Sequence, residues 1–164
     1  MEDTRVIYSI LQVAGVLLTV FSALSPWFYI STPIATLQFY PFTSSPAPLG
    51  GRVPPLVEKA FLLFLLPLGA ITGIVGSIFT ARGRRTGLDM AAGGAGLSMI
   101  GILHAVISFW QLVVSSFEQA AKYVNIGYVT PGLAAAFIGA ILMALPDRVE
   151  KYWPLNESHA PTNR

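Results

Sequence analysis

His104 is the residue in this sequence whose chemistry most needs an explanation, because it lies within a long apolar stretch. Gly101, His104, Ser108 and Gln111 follow one another at intervals of three or four residues, and Ser98 lies about one turn earlier. On a helix this spacing places side chains on one face. The pattern therefore predicts a polar stripe on an apolar helix, and an ionisable side chain inside a membrane is a candidate functional site.

Three interpretations of His104 follow. The first is a neutral structural histidine, hydrogen-bonded inside a helix bundle to Gln12 or Thr72. The second is a haem or metal ligand, although one histidine supplies a bis-histidine site only if two protomers share it. The third is a side chain that lines a polar path. We favour the first, because every Asp, Glu, Lys and Arg falls outside the apolar segments, so no carboxylate shares a depth with the ring.

The same distribution of charge argues against catalysis. No acidic side chain is placed to orient His104, and the chain has no cysteine for nucleophilic, redox or zinc chemistry. The glycine-rich run at 93–96 has no preceding strand and no following lysine, so it indicates close helix packing and not a phosphate loop. We therefore expect no enzymatic activity, no cofactor and no metal site.

The composition indicates a membrane protein. Hydrophobic residues make up 54% of the 164 residues and charged residues only 11%, whereas soluble domains carry roughly 25% charged residues. Most of the surface must therefore face lipid. The net charge of +2 is small, and the basic residues do not alternate with aromatic ones, so nucleic-acid binding is not expected.

The apolar residues form four segments, each near the roughly 20 residues that a membrane-spanning helix needs. The sequence predicts an all-α membrane fold, a four-transmembrane-helix bundle in a single domain at 1–154, followed by a flexible cytoplasmic tail at 155–164. The MEDTR start lacks the basic excess of a signal peptide, so the first segment is interpreted as a span. Helical spacing between Glu118 and Lys122 predicts that the third helix continues past the membrane surface. The predicted helices are at about 6–27, 60–81, 90–114 and 129–145.

The basic residues predict the orientation. Seven of them fall on one side of this topology and three on the other, and the side with more basic residues faces the cytoplasm. Both termini are therefore predicted to be cytoplasmic, and Arg82, Arg84 and Arg85 would set the topology and contact lipid headgroups. The seven are Arg5, Arg82, Arg84, Arg85, Arg148, Lys151 and Arg164, and the three are Arg52, Lys59 and Lys122.

The loop at 28–59 is predicted to lie outside and to form a small extracellular β-sheet, because aromatic and β-branched residues dominate its start. The stretch at 125–130 is a candidate for one more strand. The residues Trp27, Phe28, Tyr29, Phe39 and Tyr40 are candidates for an interaction surface.

Small residues recur at four-residue spacing along three of the helices. Such stripes let helix backbones approach closely inside a membrane. Two interpretations stay open, packing within one bundle and contact between protomers. The positions are Gly15, Gly69, Gly73, Gly132, Ala136 and Ala140.

Trp27 within SPWFYIS, and the segment TPGLAAAFIGAIL in the fourth helix, resemble the claudin and peripheral myelin protein type of four-helix tetraspan. Similar segments occur in prokaryotic tetraspan proteins. The resemblance implies a left-handed four-helix bundle capped by a small outer sheet. Claudins carry Gly-Leu-Trp followed by two cysteines in this loop, and this chain has none, so paracellular barrier function is not implied.

These observations predict a non-enzymatic structural or interaction protein, such as an accessory subunit of a membrane complex. Its expected partners are the lipid bilayer and other membrane protein subunits, or further copies of itself. The alternative is a pore or carrier for a small neutral or weakly polar solute, which would use the His104 stripe. A haem-bearing electron-transfer subunit is a third possibility.

Overall fold

A computed structural model of the chain describes residues 2–31, 35–47, 51–117, 125–127 and 130–152. Within them, four helices are long and apolar enough to cross a membrane, which indicates a multi-pass membrane protein. The predicted tail at 155–164 and the predicted extension from Glu118 to Lys122 lie outside the described residues. The helices are α1 at Glu2–Leu24, α2 at Leu65–Ala81, α3 at Thr86–Phe117 and α4 at Pro131–Tyr152.

The helices form a bundle in which α2 packs mainly on α3, and α1 mainly on α4. The turn that joins α2 to α3 contains Arg82, Arg84 and Arg85, and we call this side of the bundle the arginine end. All the strands lie at the opposite side, which we call the sheet end. The side chains on the bundle's outer face are large and apolar, as lipid contact requires.

A three-stranded antiparallel sheet covers the sheet end. Its central strand β1, at Phe28–Ser31, pairs on one side with β2, at Thr36–Phe39. Two shorter strands, β3 at Ser45–Pro46 and β4 at Arg52–Val53, pair with each other. On its other side β1 pairs with β5, at Asn125–Gly127, so the later loop adds a strand to the sheet as the sequence predicts.

The sheet packs on the part of α3 that extends beyond the other helices. Phe28 and Ile30 are buried while Tyr29 between them is exposed, which is the alternation expected of a strand with one covered face. The ring of Phe28 stacks on that of Phe109, with centroids 4.0 Å apart. Phe39 meets the same ring edge-on at 5.2 Å. These aromatic contacts join the sheet to the helices in one apolar core.

The start of α2 is irregular, as its proline predicts. The chain runs through a 3₁₀ turn at Phe61–Phe64 before α2 begins at Leu65. Pro67 thus falls in the first turn of α2, where its missing N–H removes no intrahelical hydrogen bond. The proline therefore marks the change from a 3₁₀ turn to an α-helix and does not interrupt a continuous helix.

Candidate functional site

The side chains of the predicted polar stripe on α3 differ in how deeply they are buried. Ser98 is fully buried, and it lies directly against Gly69 of α2. His104 and Ser108 are half-buried, and Gln111 is exposed. The direction of a side chain rotates by about 100° per residue on an α-helix, so positions up to thirteen residues apart drift around the helix surface. The structure does not bring the four side chains together on one buried face.

His104 of α3 lies level with the sheet end of the second span and not with the middle of that span. Its ring meets that of Phe61 edge-on, with centroids 5.3 Å apart, and Phe61 is the first residue of the apolar span Phe61–Ala81. The Nδ1 atom is buried without a hydrogen-bond partner. The expected hydrogen bonds to Gln12 or Thr72 are not formed, since the Thr72 hydroxyl donates to the carbonyl oxygen of Leu68 and both amide atoms of Gln12 lack a partner.

The Gln12 side chain is the most unusual polar group inside the bundle. It is fully buried, and neither its oxygen nor its nitrogen makes a hydrogen bond. The hydroxyls of Tyr8 and Ser98 are also buried and unpartnered. Such groups cost free energy when they are withdrawn from water. Tyr8 and Gln12 belong to α1, and Ser98 belongs to α3.

The predicted small residues serve packing within the chain. A Cβ atom on Gly15 would lie 2.6 Å from the carbonyl oxygen of Gly139, and the reverse substitution would meet Gly15 in the same way. Gly73 lies against Met143 and Val16, and Gly69 against Gly94 and Ser98. Ala136 and Ala140 are buried in the core. The three glycines are therefore covered by other helices of the same chain, and the two alanines are buried inside it.

Sequence reasoning singled out Gly15 and Gly69 by their spacing and assigned the run at 93–96, which contains Gly94, to close helix packing, but it missed Gly139. Gly139 in α4 and Gly94 in α3 are as essential to the close approach as Gly15 and Gly69. Both were visible as glycines in helical segments, where glycine costs about 0.5–1 kcal/mol relative to alanine. That cost was the available signal, but nothing in one sequence says which glycine faces which.

The two segments that carry the family resemblance meet at the sheet end. The Thr130 hydroxyl oxygen lies 2.6 Å from the carbonyl oxygen of Pro26 and 2.8 Å from that of Trp27. It also accepts a hydrogen bond from the backbone N–H of Leu133, as an N-cap does. A Cβ on Gly132 would lie 2.6 Å from the Pro26 carbonyl oxygen. The start of α4 is thus fastened to the end of α1.

The aromatic residues proposed for an interaction surface have different positions. Trp27, Phe28 and Phe39 are buried, and the Trp27 indole N–H donates to the carbonyl oxygen of Ser22 at 2.9 Å. Tyr40 is half-buried and its hydroxyl donates to the Gln38 side chain. Tyr29 is 39% exposed. Three of the five side chains therefore form the core beneath the sheet, and Tyr29 is the most accessible.

The turn between α2 and α3, at the arginine end, has exposed charged side chains. Arg82, Arg84 and Arg85 are all exposed. The Arg84 guanidinium carbon lies 5.6 Å from the centre of the Phe79 ring, within cation–π range. The Arg5 guanidinium of α1 lies beside Gly83 in the same turn, which adopts a φ of 74° that suits glycine. The fold thus adds a fourth cation to the turn.

Two concave regions that are lined by described residues are each large enough to receive another molecule. The first, the α1–α2 groove, has a volume of about 450 Å³ and is lined by apolar side chains of both helices together with Phe42 and Thr19. The second, the Arg52–Lys59 cleft, has a volume of about 340 Å³ and lies between the 28–59 loop and α3. Small-molecule sites commonly measure roughly 300–1,000 Å³. The first is a feature of the helix faces and the second of the sheet end.

Among the described residues, no three or more His, Cys, Asp or Glu side chains are close enough to hold a metal ion. The α1–α2 groove and the Arg52–Lys59 cleft are therefore stronger candidates for a binding site than a metal centre at His104. Comparison of the sequence with protein-family models and with curated proteins finds no match.

Proposed function

We propose that this chain is a non-enzymatic membrane protein that binds another membrane protein through its helices, as an accessory subunit of a complex. The observation that carries the proposal is the α1–α2 groove. It opens on the outer face of the bundle, where a partner helix has access from the membrane. The groove is apolar, as a surface that receives another transmembrane helix must be.

The groove lies between α1 and α2, closer to the sheet end than the Ser9–Ser77 contact between these helices. Near the arginine end they are close, and the Ser9 hydroxyl donates to the carbonyl oxygen of Ser77 at 3.1 Å. At the opposite end Phe42 and Phe64 border the groove, with ring centroids 6.3 Å apart. Thr19 brings the one hydroxyl, which already donates to the carbonyl oxygen of Gly15. An apolar side chain from a partner helix can therefore enter without leaving a polar group unpaired.

The proposal includes the orientation in the membrane. Arg5 at the start of α1 lies beside the turn that contains Arg82, Arg84 and Arg85. Arg148 and Lys151 lie in the last turns of α4, which also ends on that side. Such a concentration supports a cytoplasmic arginine end. Both termini would then be cytoplasmic, and the sheet would be extracellular, as in the claudin-like architecture that the sequence resembles.

The pore and haem alternatives gain no comparable support. A polar path needs polar side chains on one lining surface, whereas Ser98 lies on a different face of α3 from His104 and Gln111, and the three side chains differ in burial. A haem site within one chain needs a second strong axial ligand near His104, and the described residues place an aromatic ring there instead. We therefore advance the interaction function alone.

A matched pair of substitutions on α2 tests the proposal. Ile71 lines the groove and Ile78 does not, yet they lie seven residues apart on the same face and are 60% and 46% exposed. Ile71→Trp would fill the groove, and Ile78→Trp would add the same bulk to the lipid-facing surface elsewhere. We expect Ile71→Trp to release the partner when gently solubilised native membranes are analysed by mass spectrometry, and Ile78→Trp to retain it.

A photoreactive side chain at Ile71 distinguishes a protein from a lipid in the groove. Crosslinking to one defined protein that is lost from the Ile71→Trp preparation supports the accessory-subunit proposal. Crosslinking to lipid alone, together with a native mass that corresponds to a single chain, would refute it. A mass that corresponds to several copies of this chain would replace a foreign partner with self-association.

A further inference from the structure

We propose that the Arg52–Lys59 cleft is a binding site for an anionic phospholipid from the leaflet next to the sheet. The phosphate would lie between the two cations, and an acyl chain would cover the aromatic wall of α3 and β2. The inference is independent of partner binding in the α1–α2 groove, because the two sites share no lining residue.

Two basic side chains of the cleft have no ion-pair partner among the described residues. Arg52 and Lys59 both line the cleft and both are exposed. Neither forms an ion pair with a described carboxylate, and Glu58, which precedes Lys59 in the chain, does not line the cleft. Only three basic residues are predicted for this side of the protein, and two of those three line the same cleft. Guanidinium and ammonium groups placed in this way can both donate to a phosphate.

The wall of the cleft is apolar and held in place before any ligand arrives. Phe109 contributes to it, and its ring is fixed by stacking on Phe28 and by the edge of Phe39. Leu112 continues the wall along α3 by one turn. A preformed apolar surface loses little conformational entropy when a hydrocarbon chain covers it. A small hydrophilic anion would leave this surface exposed to water.

The position of the cleft also fits a phospholipid. His104, which is level with the first residue of the second span, lies one turn before Ser108, and Ser108 and Leu112 belong to the cleft. The cleft therefore begins about 6 Å beyond that level along α3, at 1.5 Å per residue. This is the boundary between the apolar spans and the sheet, where the phosphate of a bilayer lipid meets its acyl chains.

The test uses the purified full-length chain and equal amounts of phosphatidylglycerol and phosphatidylcholine with identical acyl chains. Native mass spectrometry counts the lipids that stay bound. We expect the anionic lipid to be preferred, and Arg52→Gln combined with Lys59→Gln to weaken its binding about tenfold, in line with the attraction of two cations to an anionic headgroup. Arg82→Gln combined with Arg84→Gln removes the same charge at the arginine end, and it should leave unchanged the labelling of the Leu112 peptide in the cleft by a photoreactive anionic lipid.

A second variant tests the acyl chain and keeps both cations. Ser108→Leu would place a larger apolar side chain in the cleft and should reduce lipid retention without changing the charge. A lipid with a photoreactive acyl chain should label the peptide that contains Leu112. Unchanged retention in the double glutamine variant, equal retention of the two lipids, or labelling confined to the arginine end would overturn the proposal. Equal competition by soluble glycerol phosphate would also overturn it, because the apolar wall would then contribute nothing.

Discussion

One hydroxyl, that of Thr130, connects parts of the chain that lie about a hundred residues apart. It is within hydrogen-bonding distance of the carbonyl oxygens of Pro26 and Trp27, and it also accepts from the N–H of Leu133. The site is buried, so water cannot replace these interactions. Thr130 therefore caps the N-terminus of α4 and also connects it to the end of α1.

Removal of this hydroxyl should destabilise the bundle. Thr130→Val keeps the shape and loses the cap, and we expect a loss of about 1–2 kcal/mol in the free energy of unfolding. Thr130→Ser keeps the oxygen and should recover most of that loss. Unfolding in detergent, followed by the intrinsic fluorescence of the three tryptophans, provides the measurement. Equal stability of the Val and Ser variants would show that the hydroxyl contributes little.

His104 should be tolerant of substitution for the opposite reason. Its Nδ1 atom makes no hydrogen bond within the protein, and its described ring contact is with the exposed Phe61. His104→Leu should therefore change the free energy of unfolding by about 1 kcal/mol or less. The neighbouring Ala105 is fully buried, and Ala105→Leu should cost about 1–3 kcal/mol by overpacking. Loss of a conductance or of a visible absorption band in His104→Leu would instead identify a functional histidine.

At the scale of elements, two adjacent glycines of α3 have opposite surroundings. A Cβ on Gly94 would lie 2.5 Å from the carbonyl oxygen of Gly69, whereas a Cβ on Gly93 would meet nothing within 4 Å. Gly94→Ala should force α2 and α3 apart and cost about 1–3 kcal/mol. Gly93→Ala should leave stability unchanged or raise it by about 0.5–1 kcal/mol, because alanine favours the helix.

The two alanine variants are compared by thermal unfolding in the same detergent. Equal destabilisation by both would mean that α3 is rotated relative to the arrangement described here. Normal unfolding of Gly93→Ala combined with loss of an assembly in the native membrane would assign Gly93 to a contact between proteins.

Apolar segments predict where helices cross a membrane better than where they end. The predicted first helix reached residue 27, but α1 ends at Leu24, because Pro26 disfavours helical backbone at Ser25. The predicted fourth helix ended at residue 145, yet α4 continues to Tyr152 through charged residues. Hydrophobicity predicts the span but not the last helical residue, since Pro26 follows the end of α1 whereas Pro146 lies inside α4 and does not end it.

The candidate site was less predictable than the helices. The helical spacing on α3 was visible, but the burial of Ser98 and the partial exposure of His104 depend on where α2 lies. The Arg52–Lys59 cleft requires α3 to extend beneath the loop, and no local pattern places Arg52 near Ser108. Contacts between distant segments arise from packing, which a single sequence does not specify.

On the scale of the whole molecule, charge is distributed unequally between the two ends of the bundle. The turn between α2 and α3 is surrounded by Arg5, Arg82, Arg84 and Arg85, and the sheet end has Arg52 and Lys59 within the described residues. Interior apolar contacts do not favour one orientation over its inverse. The imbalance of basic residues therefore predicts the orientation of the bundle, with the arginine end in the cytoplasm.

This orientation can be tested directly because the chain contains no cysteine. Single-cysteine variants are labelled in intact cells with a reagent that does not cross membranes. Gln38→Cys, at an exposed position of β2, should react from outside, and Arg84→Cys should react only after the cells are permeabilised. Ala105→Cys, which is buried in the bundle, is the control for background and should react in neither condition. The inverse pattern would place the arginine end outside and would show that the basic turn does not determine the topology. It would also assign the Arg52–Lys59 cleft to the cytoplasmic leaflet, where anionic lipid is more abundant.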